Sequence, residues 1–359
     1  MSEALTRADA LHEMGRYEQA AATVSGHLAG HPGDARAWVL LARCTHALGD
    51  RTEAMRAVDE ALRADPRQLS AWIVRAELLT GAGRYAEAEA AARESIRLAP
   101  FFWGAYQALA WVLDRSGDRS RRQEAYAVAR QAAELAPEHD AAHFLVGVTA
   151  HRLRDFRTAE LAYRTALRLN PQSSEAHNNL AMLSMGHRWR RRGAWSAAAE
   201  GFATAAALDT ADRDARFNLE SMAWGVAAGA RWIALAGLVV SVLGTAGPRT
   251  GDGGTGALAA QLTAALVLVA LWAGWALWIR RRVPARLRRP MLLLARRCPP
   301  VVAMAVSVGV LGLHSAVVVA LPGAGAGLVG GLGVPLFWGM LLTYWLSRAA
   351  LNRRRPVDG

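Results

Sequence analysis

The residues in this chain whose type and spacing could do chemistry are few. His27/His31 and His139/His143 are each four apart, the spacing that lets two imidazoles share a metal ion on one helix face. Each pair falls at a proline turn, beside Pro32 or Pro137, and no glutamate completes a hydrolase motif. The glycine stretches GDGGTG (251–256) and GAGAGLVGG (323–331) have the flavour of a phosphate loop. They lack the preceding strand and the Lys-Ser/Thr that such a loop needs, so they read as turns and small-residue helix contacts. Cys44 and Cys298 stand 254 positions apart in unlike contexts, which implies neither a disulfide framework nor a metal site. His314 is alone in an uncharged run, without the carboxylates of a proton relay. The expectation is no catalytic residue, no cofactor and no metal, hence not an enzyme.

The elements that carry these residues divide by charge. The chain has 359 residues and a formal net charge of +12, every basic residue being arginine. Residues 1–230 hold 28 Arg against 28 Asp and Glu, whereas residues 231–359 hold 14 Arg against only Asp252 and Asp358. The Ala, Gly and Arg usage is that of a high-GC bacterial genome. The start, MSEALTRADA, has neither a basic nor an apolar signal region, so the N-terminus is expected in the cytoplasm.

The first part is periodic. Pro32, Pro66, Pro100, Pro137 and Pro171 are spaced 34, 34, 37 and 34 apart, each closing a short helical phrase such as LRADP or IRLAP. Twelve residues before them stand Ala20, Ala54, Ala88, Ala125 and Ala159; fifteen before stand Tyr17, Arg51, Tyr85, Arg122 (expected in a loop) and Phe156. Gly15, Gly49, Gly83 and Gly117 recur between the two phrases of a unit. A sixth copy, with Gly193, Trp195, Ala198, Phe202 and Ala205, follows a five-residue insertion. Small residues recur at position 8 (Ala8, Ala42, Ala76, Ala110, Gly147, Ala181) and large ones at position 4 (Trp38, Trp72, Tyr106, His143, His177).

These residues resemble the tetratricopeptide repeat. The resemblance implies an all-α, right-handed solenoid of about six helix pairs: 1–34, 35–68, 69–102, 103–139, 140–173 and 174–212. Residues 213–230 are expected as a capping or juxtamembrane helix. In this family the first helix of each pair lines a concave groove for a peptide or partner helix. Carried over position by position, that groove includes Arg36, Val39, Arg43 and His46, then Ser70, Ile73, Glu77 and Thr80, with Gln107 and Glu175 further on. Trp111, Asp114, Phe144, Val148 and His151 follow, then Asn178 and Met182. Trp111, Phe144, Val148 and Met182 are expected to form an apolar strip. Asn179 and Asn218 fall where the family often holds a ligand backbone. Members that bind chaperone tails place lysine at position 5 and asparagine at position 9; that pattern is missing here, so a chaperone tail is not the expected ligand.

Beyond Arg231 the composition turns apolar, and four transmembrane helices are expected at about 231–247, 257–279, 301–321 and 327–347, followed by a basic tail at 348–359. At about 1.5 Å per residue, 257–279 spans about 34 Å, enough for a bilayer core. The stretch WIALAGLVVSVLGTA (232–246) is short and would need to borrow from GVAAGA upstream. RRRVPARLRRPMLLLARR (280–297) carries eight arginines, and the tail carries more. By the positive-inside rule both face the cytoplasm, as do the repeats, which needs an even number of spans. Arg280, Arg281, Arg282, Arg288 and Arg289 are expected at an anionic membrane surface, with MLLLA in the interface. The arginine-rich insertion GHRWRRRGAW (186–195) reads as a solvated loop. The expected whole is a scaffold at the cytoplasmic face of a bacterial inner membrane, with protein partners and anionic lipids; nucleic acid is not the expected partner. Alternatives are a transporter or membrane enzyme with regulatory repeats, and lipid or nucleic-acid binding through the arginine loops.

Overall fold

The computed structural model describes residues 2–186, 193–209, 212–245, 255–321 and 329–355, and every regular element among them is helical. The arginines of the 186–195 insertion and most of both glycine stretches lie outside the described residues. The chain forms two compact units, Met1–Ala176 and His177–Gly359.

The first unit is a run of helix pairs: α1 (Glu3–Glu13) with α2 (Tyr17–Gly30), α3 (Ala35–Ala47) with α4 (Arg51–Ala64), α5 (Leu69–Gly81) with α6 (Tyr85–Leu98), α7 (Trp103–Arg115) with α8 (Arg119–Leu135), and α9 (Asp140–Arg152) with α10 (Phe156–Leu169). Close approach within pairs follows from the small residues. Ala8, Ala42, Ala76, Ala110, Ala20, Ala54, Ala88, Ala125 and Ala159 are all fully buried. Aspartates start several helices: Asp34, Asp50, Asp118 and Asp155 each accept a hydrogen bond from a backbone N–H of the first turn. Arg122, expected in a loop, lies inside α8. The three-residue insertion is absorbed as a longer helix of 17 residues, because Asp118 caps its start and no helix breaker follows.

The turn inside each pair needs a residue in the left-handed region. Gly15, Gly49, Gly83 and Gly117 supply it at φ +72°, +85°, +74° and +110°, and in the fifth pair Arg154 is forced to +65°. For an L-residue that conformation costs about 1–2 kcal/mol.

The large residues at position 4 do more than fill space. Trp38 Nε1 donates to the Pro32 carbonyl at 2.8 Å, Trp72 Nε1 to Pro66 at 2.9 Å and Tyr106 Oη to Pro100 at 2.8 Å; His143 Nε2 lies 2.9 Å from the Pro137 carbonyl. Trp, Tyr and His share a ring-borne donor at similar reach. It satisfies a carbonyl in the turn where proline has ended the preceding helix.

In the second unit, α11 (Ser174–Gly186) starts at the boundary and is followed by α12 (Ala194–Leu208), α13 (Arg213–Gly229), α14 (Arg231–Thr245), α15 (Thr255–Arg282), α16 (Ala285–Arg297), α17 (Pro299–Ala320) and α18 (Gly333–Asn352). Three helical stretches are long and apolar enough to cross a membrane: Arg213–Gly244, Gly256–Arg282 and Pro299–Ala320. The short first segment thus gains its length from upstream, α13 and α14 being interrupted only near Ala230. The fourth expected span corresponds to α18, which is not one of those three. Helices α14 and α18 both pack on α17. Trp224 Nε1 of α13 donates to Ser347 Oγ of α18 at 3.0 Å. Arg231 lies over the Tyr344 ring at 4.4 Å and donates to the Ala228 carbonyl at 2.7 Å. The run between the second and third stretches is itself a helix, α16. Its Leu287 and Met291 join Phe202 and Leu219 in one core.

Candidate functional site

The first helices of the first three pairs carry apolar residues inward and leave a polar stripe outward. On α3 the inward set is Ala37, Leu40, Leu41 and Cys44, while Arg36 and Arg43 project from the exposed face. Together with α1 and α5 they line a cleft of about 370 Å³. Leu5, Val39, Leu40 and Ile73 supply apolar wall, Asp9, Gln68 and Ser70 supply polar groups, and Phe102 stands at one side. Seven residues separate Arg36 from Arg43, two helical turns, so their Cα atoms are about 10 Å apart along the axis. Neither guanidinium makes a hydrogen bond or ion pair among the described residues. Glu77 is on α5: desolvation by its surroundings raises its carboxyl from the ordinary value, against the opposing pull of Arg43. Cys44, behind the cleft, is fully buried, and burial pushes its thiol up to about 11, so it stays a neutral core residue.

The expected apolar strip is less open. Trp111, Phe144 and Val148 are half-buried; Trp111 packs on the core, and the Phe144 ring lies 5.7 Å from the Tyr163 ring. Asp114 is 4% exposed, and burial raises its carboxyl despite Arg152, whose Nε lies 3.4 Å from Asp114 Oδ2. In the second unit Asn178 Oδ1 accepts from Asn218 Nδ2 at 3.0 Å. Asn218 also reaches the exposed Met182 sulfur at 3.6 Å, while Asn179 is half-buried. The arginines flanking α15 have separate tasks. Arg288 donates to the carbonyls of Arg280 (2.7 Å) and Val283 (3.2 Å), capping the end of α15. Arg282 lies over the Trp278 ring at 4.9 Å, and Arg280, Arg281 and Arg289 are exposed.

No group of three or more metal-ligating side chains occurs among the described residues. His27 instead stacks on His31 at 4.5 Å, with Nε2 3.0 Å from the capping carboxylate of Asp34.

Repeating helix pairs, alanine-lined contacts and a ring donor on four successive turn carbonyls agree with the family comparison, in which tetratricopeptide repeat models match residues 11–78, 69–102 and 108–174. Residues 11–174 are tetratricopeptide repeats. Such repeats are scaffolds for protein–protein interaction. No curated protein matches the chain. A tetratricopeptide repeat protein from Parabacteroides merdae is similar in structure, with 13% identity, a TM-score of 0.52, and coverage of 61% of this chain and 82% of that one. So is a chain of the APC/C hetero-tetramer Cut9–Hcn1, with 20% identity, a TM-score of 0.51, and coverage of 60% of this chain but only 41% of that one. A thermophilic repeat protein of Thermus thermophilus is 22% identical over 51% of this chain and 95% of its own, with a TM-score of 0.46. At these identities the likeness is one of fold. The sequence signal for the ring donor at position 4 is that Trp, Tyr or His occupies it from the second pair onward.

Proposed function

We propose that this protein is a membrane-anchored interaction scaffold. Its tetratricopeptide repeats bind an extended, acidic peptide segment of a partner protein in the cleft lined by α1, α3 and α5. The observation that carries this reading is the pair of guanidiniums, Arg36 and Arg43, neither held by a hydrogen bond or ion pair among the described residues, above an apolar wall. An extended chain rises about 3.3 Å per residue, so carboxylates two to four residues apart reach both arginines. Charge-assisted contacts of this kind give specificity, and apolar side chains on Val39 and Ile73 add affinity.

The chain anchors through four spans, the three membrane-capable stretches and α18, and a sixth repeat occupies 174–212. The arginine excess of the 280–297 run and of the C-terminal tail supports an orientation with both, and the repeats, at the cytoplasmic face of a bacterial inner membrane. Peptide selection tests the cleft. The purified full chain in detergent is offered a random peptide library beside Arg36→Glu/Arg43→Glu. The native protein is expected to enrich acidic peptides and the variant to lose them or favour basic ones. The same peptides from both would refute the reading.

A further inference from the structure

A second cleft, of about 700 Å³, lies wholly within the second unit. Its two walls follow one rule. On α13 the lining residues are Arg213, Arg216, Phe217 and Glu220; on α16 they are Pro290, Leu293, Leu294 and Arg297. Both sets fall at i, i+3, i+4 and i+7, a single helix face each. Arg354, just past α18, completes the lining. Four arginines therefore surround the cleft against one carboxylate, and Glu220 is engaged by Arg354 at 3.6 Å. The same helix α16 turns Leu292 and Leu293 outward, 53% and 60% exposed. Leu287 and Met291 hold its other side to the core. Arg297 stands two residues before α17 and Arg354 two after α18, so the charges gather where apolar helices begin and end.

We propose that this cleft binds the phosphate headgroup of an anionic phospholipid, with the acyl chains along Leu292 and Leu293. The inference rests on the membrane-anchored reading. Guanidinium pairs match phosphate oxygens in geometry as well as charge, and exposed leucines beside them would otherwise face water. A soluble phosphate would use the arginines and leave the leucines without a role. An amphipathic helix between two membrane-capable stretches is also the element expected in the headgroup plane.

The test uses the full chain in detergent, titrated with dioctanoyl phosphatidylglycerol, dioctanoyl phosphatidylcholine and glycerol 3-phosphate, with bound ligand counted by native mass spectrometry. The glycerol lipid is expected to bind saturably and the choline lipid weakly. Arg213→Gln/Arg297→Gln is expected to weaken binding about 30-fold, at about 1 kcal/mol per arginine. Glu220→Gln, which removes the carboxylate paired with Arg354, is expected to tighten binding, a direction that a damaged fold does not produce. Arg7→Gln/Arg67→Gln, exposed in the first unit, is expected to bind as the native chain does. Equal binding of the choline lipid, or native binding by Arg213→Gln/Arg297→Gln, overturns the proposal. Glycerol 3-phosphate binding as tightly as the lipid replaces it with a soluble-phosphate site. Carbonate extraction separates the premise: release of the protein from membranes defeats the anchoring reading, whereas retention with no charge-dependent binding defeats the cleft alone.

Discussion

Gly147 occupies the position that is alanine in the first four pairs, and the reason is the fully buried Tyr163 ring beneath it. A Cβ on Gly147 would sit 2.4, 2.5 and 3.0 Å from three Tyr163 ring atoms. Ordinary carbon contacts are about 3.5–4.0 Å, so the ring must retreat by about 1 Å through a packed core. Overpacking of that kind costs about 1–3 kcal/mol, whereas Ala over Gly in a helix gains about 1 kcal/mol. Gly147→Ala is therefore expected to lose about 0–2 kcal/mol locally, the steric cost being partly offset by the helix preference. Tyr163→Val, which opens a cavity, is expected to lose about 2–4 kcal/mol. The double variant recreates the pair Ala42/Val58 of α3 and α4, both fully buried. It should be more stable than Tyr163→Val alone, giving a favourable coupling of about 2 kcal/mol. Hydrogen–deuterium exchange of the α9 and α10 amides in the full-length protein reads this local stability. Strictly additive effects of the two substitutions would refute the steric account.

Two further outcomes follow from the first unit. Arg154→Gly relieves the left-handed strain at φ +65° and is expected to add about 1 kcal/mol to the protection of α9 and α10, read by the same exchange measurement; lowered protection contradicts it. Asp114 has a carboxyl raised by burial, so its contribution to stability is full below the ordinary aspartate value and is lost as pH rises through the raised one. Asp114→Asn should therefore unfold later than the native chain at pH 7.5, by about 1 kcal/mol, with the gap closing toward pH 4; a gap that widens on acidification would reverse the sign.

Much of the first unit was legible because its grammar is local. Proline spacing sets the period, alanines mark the close contacts, and glycines mark the left-handed turns. Arg154 escaped notice because backbone conformation overrides residue preference once the flanking helices are set. Arg122 is helical rather than in a loop because an insertion can be taken up by extending a capped helix. The cleft residues Arg36, Arg43, Ser70 and Ile73 were legible from repeat position, whereas the partial burial of Trp111 and Phe144 depends on neighbours far along the chain. Repeat position also did not reveal that Asn178 is a partner of Asn218. In the second unit, hydropathy identified the apolar runs, but the arginine density of 280–297 masked a helix. The return of Arg288 onto the end of α15 depends on side-chain geometry that spacing does not encode.

The central claim is that the cleft along α1, α3 and α5 receives a partner's acidic segment while the same chain is held in a membrane. The most direct measurement places a photo-crosslinking amino acid at Ile73, inside the cleft, or at Leu161, exposed on α10, in growing cells. The account predicts a discrete membrane-fraction adduct from position 73, none from position 161, and loss of the first when Arg36→Glu/Arg43→Glu is added. Equal adducts from both positions, or an adduct at 73 indifferent to the arginines, would contradict it.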